Sequence, residues 1–206
     1  MSASIFSLSE HRANVADPIL SQVEGYWDGL RTGRTVPARS DINPRGLAEV
    51  LTHCFILERL STRFARFRVY GRKVSDLAGT ELREMPISAL FSAESREALG
   101  QTIEQVLDEP SAARLMLETR NGALRKSTQC HMALLPLRDD LGDMTRILGC
   151  VSTKGEASGR YCQLDILAKT LKPLEQGMAL TSPVALTARD EDAERGKVVT
   201  LPFRSE

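Results

Sequence analysis

No apolar run in the 206-residue chain approaches the roughly 18–20 residues that a membrane-spanning helix needs. The first residues also lack the basic region and long apolar core of an export signal. The expectation is a cytoplasmic protein with no membrane partner. Charge of one sign is missing too: 27 basic residues stand against 27 acidic ones. Nothing electrostatic therefore points to nucleic acid. The four cysteines, Cys54, Cys130, Cys150 and Cys162, form no CxxC pair and have no histidine at zinc-finger spacing. They read as buried reduced thiols, since a redox-sensing thiol needs exposure and positive neighbours. Signatures of catalysis are also absent: no local Ser/His/Asp pattern, no glycine-rich phosphate loop and no HExxH. The acid pairs Asp139-Asp140 and Glu191-Asp192 fall in a turn and in a tail, where solvated charge is the ordinary state. These absences argue against an enzyme.

What is present is a strong central hairpin. Thr128–Leu137 and Thr145–Ser152 are apolar, strand-type segments joined by the acidic, glycine-containing turn at 138–143. With a period of two, Cys130, Met132 and Leu134 share one face of the first strand and His131, Ala133 and Leu135 the other. Both faces are largely apolar, so the sheet must be covered on both sides.

The covers can be sought along the chain. Residues 1–16 are a polar arm. Asp17 followed by Pro18 is a helix start, and Ile19, Leu20, Val23, Tyr26, Trp27 and Leu30 form one apolar stripe that ends before Gly33. A polar link with two prolines leads to a short helical turn at Pro44–Val50, which Asp41 could cap. Leu51–Leu60 and Phe64–Tyr70 make a second hairpin, whose second strand alternates Ala65, Phe67 and Val69 against Phe64, Arg66, Arg68 and Tyr70. Broken helical material at 71–91 precedes a helix from Ala93 to Leu107, with Ser92 as N-cap and Leu99, Ile103, Val106 and Leu107 on its apolar stripe. Ala112–Thr119 is a third strand, followed by an Asn121-Gly122 turn. Residues 155–206 are read as a C-terminal extension, largely disordered from about 176, where the composition buries little.

The order helix, two strands, broken helices, longer helix, three strands resembles the PAS domain over about Val50–Lys154. It is most similar to small bacterial single-PAS proteins with an N-terminal pattern that here reads Trp27, Leu30, Arg31, Gly33, Arg34, Pro37, Arg39, Asp41, Asn43 and Pro44. The next marker is Phe67-Arg68-Val69-Tyr70-Gly71, followed by Gly79 and Thr80. The resemblance implies an α+β fold: a five-stranded antiparallel sheet with helices on one face, preceded by an amphipathic helix. It divides the chain into an arm at 1–16, a helix and linker at 17–49, a PAS domain at 50–154 and an extension. It further implies a homodimer through the N-terminal helix, with Val23, Tyr26, Trp27 and Leu30 as contacts. No output segment follows, so signalling is expected to pass to a partner protein.

The same resemblance implies a ligand pocket between helices and sheet. The candidates are Phe55, Leu57, Phe67, Val69, Leu77, Leu90, Leu115, Leu117, Met132, Leu134 and Cys150. Arg68 is a possible partner for a ligand carboxylate or a plain surface arginine. Haem has no axial histidine where it would need one, because His11 lies in the arm and His53 and His131 in strands. A flavin photosensor needs a cysteine between the second strand and the third, and none occurs there. The cofactor is left unknown. Two readings stand: a sensory module that binds a small ligand, and a ligand-free interaction adaptor whose pocket is filled by its own large side chains.

Overall fold

The structure, a computed structural model, describes residues 17–120, 127–154 and 163–175. The arm, the Asn121-Gly122 turn, Cys162, the Glu191-Asp192 pair and the rest of the extension from 176 lie outside them. Six antiparallel strands form one sheet in the order β2-β1-β5-β4-β3-β6. They are β1 Cys54–Ser61, β2 Phe64–Tyr70, β3 Ser111–Arg120, β4 Gln129–Arg138, β5 Met144–Thr153 and β6 Gln163–Pro173. The PAS-like α+β architecture expected from the sequence is what is found. The sheet has one strand more than expected, because β6 pairs along the whole of β3.

Strand β6 comes from the stretch read as C-terminal extension. Its sequence, QLDILAKTLKP, alternates only weakly, and its apolar residues serve one face through a register shift that leaves Leu167 exposed. Leu164, Ile166 and Leu171 reach the core on that face. Two serines of the helical region fasten the strand: the Ser92 N–H donates to the Leu164 carbonyl at 3.0 Å, and Ser95 Oγ accepts the Ile166 N–H at 3.0 Å. Ser92 therefore serves β6 through its hydroxyl, which donates to Asp165, and makes no side-chain cap to the helix that follows.

Both faces of the sheet are covered, as the two apolar faces of β4 require. On the inner face lie α2 (Arg72–Ala78), a 3-10 turn at Ile87–Leu90 and α3 (Ala93–Asp108). On the outer face lies α1 (Pro18–Gly29), whose Leu20, Val23 and Trp27 pack on Ala133, Leu135, Leu148 and Cys150. Asp17 caps α1, accepting from the Ile19 and Leu20 N–H groups at 3.1 and 3.3 Å. The short turn at Pro44–Leu47 is capped by Asn43, and not by Asp41. The Asp41 carboxylate is occupied by Arg34 at 2.7 Å and by the Ala38 N–H at 2.9 Å.

Cross-strand register explains one small residue in the core. Phe55 of β1 pairs with Gly149 of β5, and a Cβ on Gly149 would lie 2.1 Å from a Phe55 ring atom. The ring fills the space that a side chain would take. Phe55 is 1% exposed and packed edge-on against Phe67. Gly149→Ala is expected to cost about 1–3 kcal/mol by overpacking, read as a lower urea midpoint at unchanged slope.

Candidate functional site

The inner face is the place where the sequence reading puts a ligand. Phe55, Leu57, Phe67, Leu77, Leu90, Leu115, Leu117, Met132 and Leu134 all come together there in one apolar cluster. Phe67 stands edge-on to Phe55, with centroids 5.4 Å apart, and to Tyr70 at 6.3 Å. Phe91 from the helical region, Leu99 and Ile103 of α3 and Ile147 of β5 fill the rest, each at 1% exposure or less. The space between helices and sheet is occupied by side chains of this chain.

Three candidates lie elsewhere, and the reasons are local. Val69 pairs with Ile56 while Phe67 pairs with Leu57, so Arg68 is an extra residue in β2. This bulge reverses the alternation after Phe67, turns Val69 to the outer face at 55% exposure and brings Tyr70 to the inner face. Cys150 pairs with Ala133 and so shares its outer face; the inward residues of β5 are Ile147, Gly149 and Val151. The error there is a one-residue phase, which moves a side chain to the opposite side. Arg68 is engaged by Glu84 at 2.6 Å and Glu58 at 3.5 Å.

Glu58 is the centre of a charge cluster on the outer face. Its carboxylate accepts from Arg66 at 2.7 and 2.9 Å and pairs with Arg146 at 2.8 Å. The hydrogen bond from Arg66 holds the Glu58 carboxyl below its ordinary value. This network accounts for the arginines of β2 as structural partners.

Most of the N-terminal sequence pattern also has a structural role. Trp27 is 2% exposed and its Nε1–H donates to the Pro136 carbonyl at 2.9 Å. Arg31 lies 5.7 Å over the Trp27 ring and donates to the Glu175 carbonyl at 2.6 Å. The Tyr26 hydroxyl donates to the Asn43 carbonyl and accepts the Asn43 N–H, and its ring fills the place a Cβ on Gly46 would need. The stripe expected to form a dimer contact is thus partly spent within the chain: Val23 and Trp27 are buried on its own sheet, and Tyr26 and Leu30 are half-buried.

Where α1 begins, a buried polar group joins it to the sheet. Asp17 Oδ2 accepts from His131 Nδ1 at 3.1 Å, and the Ser152 hydroxyl is a further partner of the carboxylate. Asp17 and His131 are 6% and 4% exposed. Burial raises the Asp17 pKa, but the hydrogen bonds from His131, Ser152 and the Leu20 N–H outweigh it and the net shift is downward. A carboxyl with a depressed folded pKa adds stability above its unfolded value near about 4, and that stability is lost as pH falls through the folded value. Glu58 acts with the same sign. Asp17→Ala is expected to cost about 2 kcal/mol at neutral pH, from the lost cap and the stranded His131. Asp17→Asn keeps the cap and should flatten the decline of melting temperature below about pH 4.

The buried cysteines carry no reactive character. Desolvation pushes the Cys54 thiol up to about 12 and the Cys150 thiol well above its ordinary value. Cys130 is buried as well. Among the described residues no cluster of His, Cys, Asp and Glu is arranged to hold a metal ion, and no helix is long and apolar enough to cross a membrane.

Two cavities lie outside the inner core. One, of about 670 Å³, runs between α1 and the outer side of β3 and β6, near Glu24, Arg114 and Lys172. The other, of about 320 Å³, is a groove on the outer face of β1 and β2. Ile56, Val69 and Leu148 are among its lining, with Ile42 and Leu47 from the linker and Leu51 from the 3-10 turn that follows it. Of the sequence-derived candidates, Phe55 and Val69 touch it. Sequence reasoning missed the rest because the linker read as polar and Leu51, which lies in a 3-10 turn, read as the start of a strand; the isolated apolar residues Ile42 and Leu47 were the available signal.

The profile of a family described as PAS domain matches residues 15–152. A search among curated proteins finds no match to the chain.

Proposed function

Because this chain belongs to the PAS domain family, whose members are sensory or interaction modules, we propose that it is a cytoplasmic interaction module that signals through a partner protein, with its helix–sheet core closed by its own side chains. The observation that carries the reading is the filled inner face, where Phe55, Phe67, Phe91 and Leu115 are 1% exposed or less. Close-packed interiors leave few voids larger than water, whereas pockets for small molecules are typically about 300 Å³ or more. Two cavities of such a size lie on the outer side of the sheet, and neither is enclosed between the helices and the inner face.

In this reading the N-terminal helix is part of the module's own fold. Its apolar stripe holds it on β4 and β5, and Asp17 and His131 fix its first turn. A partner protein, or a second copy forming a homodimer, then meets the solvent side of α1 and the exposed residues Leu60 and Phe64 at the β1–β2 turn.

Native mass spectrometry of the freshly purified protein, set beside the denatured sample, tests this. The bare polypeptide mass is expected in both. A discrete extra mass, lost on denaturation and still present after Val69→Trp obstructs the outer groove, would contradict a closed core.

A further inference from the structure

We infer that the groove on the outer face of β1 and β2 is a binding site for a small anionic amphiphile, an aliphatic chain ending in a carboxylate. This goes beyond the interaction reading and leaves the helix–sheet core closed, with only Phe55 and Tyr70 of that side bordering the groove. Three features of the groove argue for it.

The first is its lining. Ile56, Val69 and Leu148 on the outer face of the sheet and Leu47 and Leu51 beside them line a trough of about 320 Å³. That is the lower end of the range for small-molecule sites. Val69 and Leu51 remain 55% and 41% exposed. Leaving two aliphatic side chains half in water beside a concavity is unfavourable, and a bound alkyl chain would cover them.

The second is charge. Arg39 and Arg72 line the groove and no carboxylate does. Among the described residues Arg39 has no ion pair. Among the described residues Arg72 has one ion pair, a long one to Asp76 at 3.8 Å, with the arginine side chain 86% exposed. Arg31, Arg34, Arg59, Arg63, Arg66, Arg68, Arg114, Arg120 and Arg146 all have an acidic partner at 3.5 Å or closer. Arg45, Arg83, Arg96 and Arg138 also have no ion pair among the described residues; what distinguishes Arg39 and Arg72 is that they border an apolar trough whose lining holds no carboxylate. Guanidinium groups bind carboxylates by paired, charge-assisted hydrogen bonds.

The third is construction. The Arg68 bulge turns Val69 outward, and the turns at Pro44–Leu47 and Leu51–His53 supply Leu47 and Leu51 to the same groove. The Gly71 N–H donates to the Cys54 carbonyl at 2.8 Å, and a Cβ on Gly71 would meet the Thr52 carbonyl oxygen at 2.3 Å, which fixes the end of β2 against the wall. The floor and wall are thus set by backbone contacts in the free chain.

Octanoate and 1-octanol, which share a chain and differ in charge, are the probes. They would be titrated into the full-length protein while amide shifts are followed by ¹H–¹⁵N NMR. The expected result is saturable shifts at Ile42, Leu51, Ile56 and Val69, with octanol about tenfold weaker than octanoate. Arg39→Gln with Arg72→Gln should weaken octanoate about tenfold and leave octanol unchanged. Val69→Trp should abolish both. Equal affinity for the two probes, or no saturable shift at millimolar octanoate, would overturn the inference. Groove shifts that appear on raising protein concentration alone would overturn it too, by making a second copy the occupant. Shifts centred on Phe67, Leu115 and Met132 would overturn both this inference and the closed core, whereas the failures just named leave the closed core standing.

Discussion

Phe67→Ala is expected to lower the stability of the domain by about 3–5 kcal/mol, the range for removing a buried aromatic ring. Phe67 is 0% exposed and meets both Phe55 and Tyr70 edge-on, so the loss includes aromatic contacts as well as burial. Its strand pairs with β1 on one side and is bonded to the 84–85 backbone on the other, with the Phe67 N–H and carbonyl both used at 3.0 Å. The backbone there cannot collapse inward to close the gap. The variant should therefore keep an internal cavity and take up a small apolar probe such as xenon or benzene. Urea denaturation measures the first effect and methyl NMR in the presence of the probe the second.

Trp27→Ala should cost a similar amount, about 3–5 kcal/mol. The ring is the largest side chain between α1 and the sheet, and its loss also leaves the Pro136 carbonyl without its indole donor. A 12-residue helix has little stability of its own. Once its anchor is gone, α1 should leave the sheet before the rest unfolds. Hydrogen exchange separates the two events: amides of α1 are expected to lose protection at low denaturant while those of β4 and β5 keep most of theirs. Equal loss across both would mean that α1 is not a separable cover. Trp27→Phe, which keeps most of the volume and drops the hydrogen bond, should cost only about 1–3 kcal/mol.

The general plan of the domain was legible because the strongest signals are local. Two apolar faces on β4 demanded two covers, and Asp17-Pro18 and the 93–107 periodicity supplied them. What escaped notice depended on pairing between distant segments. The Arg68 bulge has no glycine or proline to announce it, so strict alternation put Val69 on the wrong face. The phase of β5 is masked because Leu148, Cys150 and Val151 are all apolar and buried, and Gly149 leaves its inward position empty for Phe55. Strand β6 lies across the undescribed stretch 155–162 from β5, and its partner β3 is over forty residues earlier in the chain. Two of its charged residues find partners outside the strand, Asp165 in Ser92 and Arg120 and Lys169 in Gln105, while the buried Thr170 hydroxyl has no hydrogen-bond partner among the described residues.

Nine of the pocket candidates named from sequence lie in one apolar cluster on the inner face, yet a list of apolar residues cannot distinguish a lined pocket from a packed core. That distinction is one of volume. Methyl NMR of the unmodified protein titrated with benzene tests it most directly. A closed core predicts that the methyl signals of Leu57, Leu115, Leu117 and Leu134 stay fixed while the same signals move in Phe67→Ala. Saturable movement of those methyls in the unmodified protein would reveal an open pocket between helices and sheet and contradict the account.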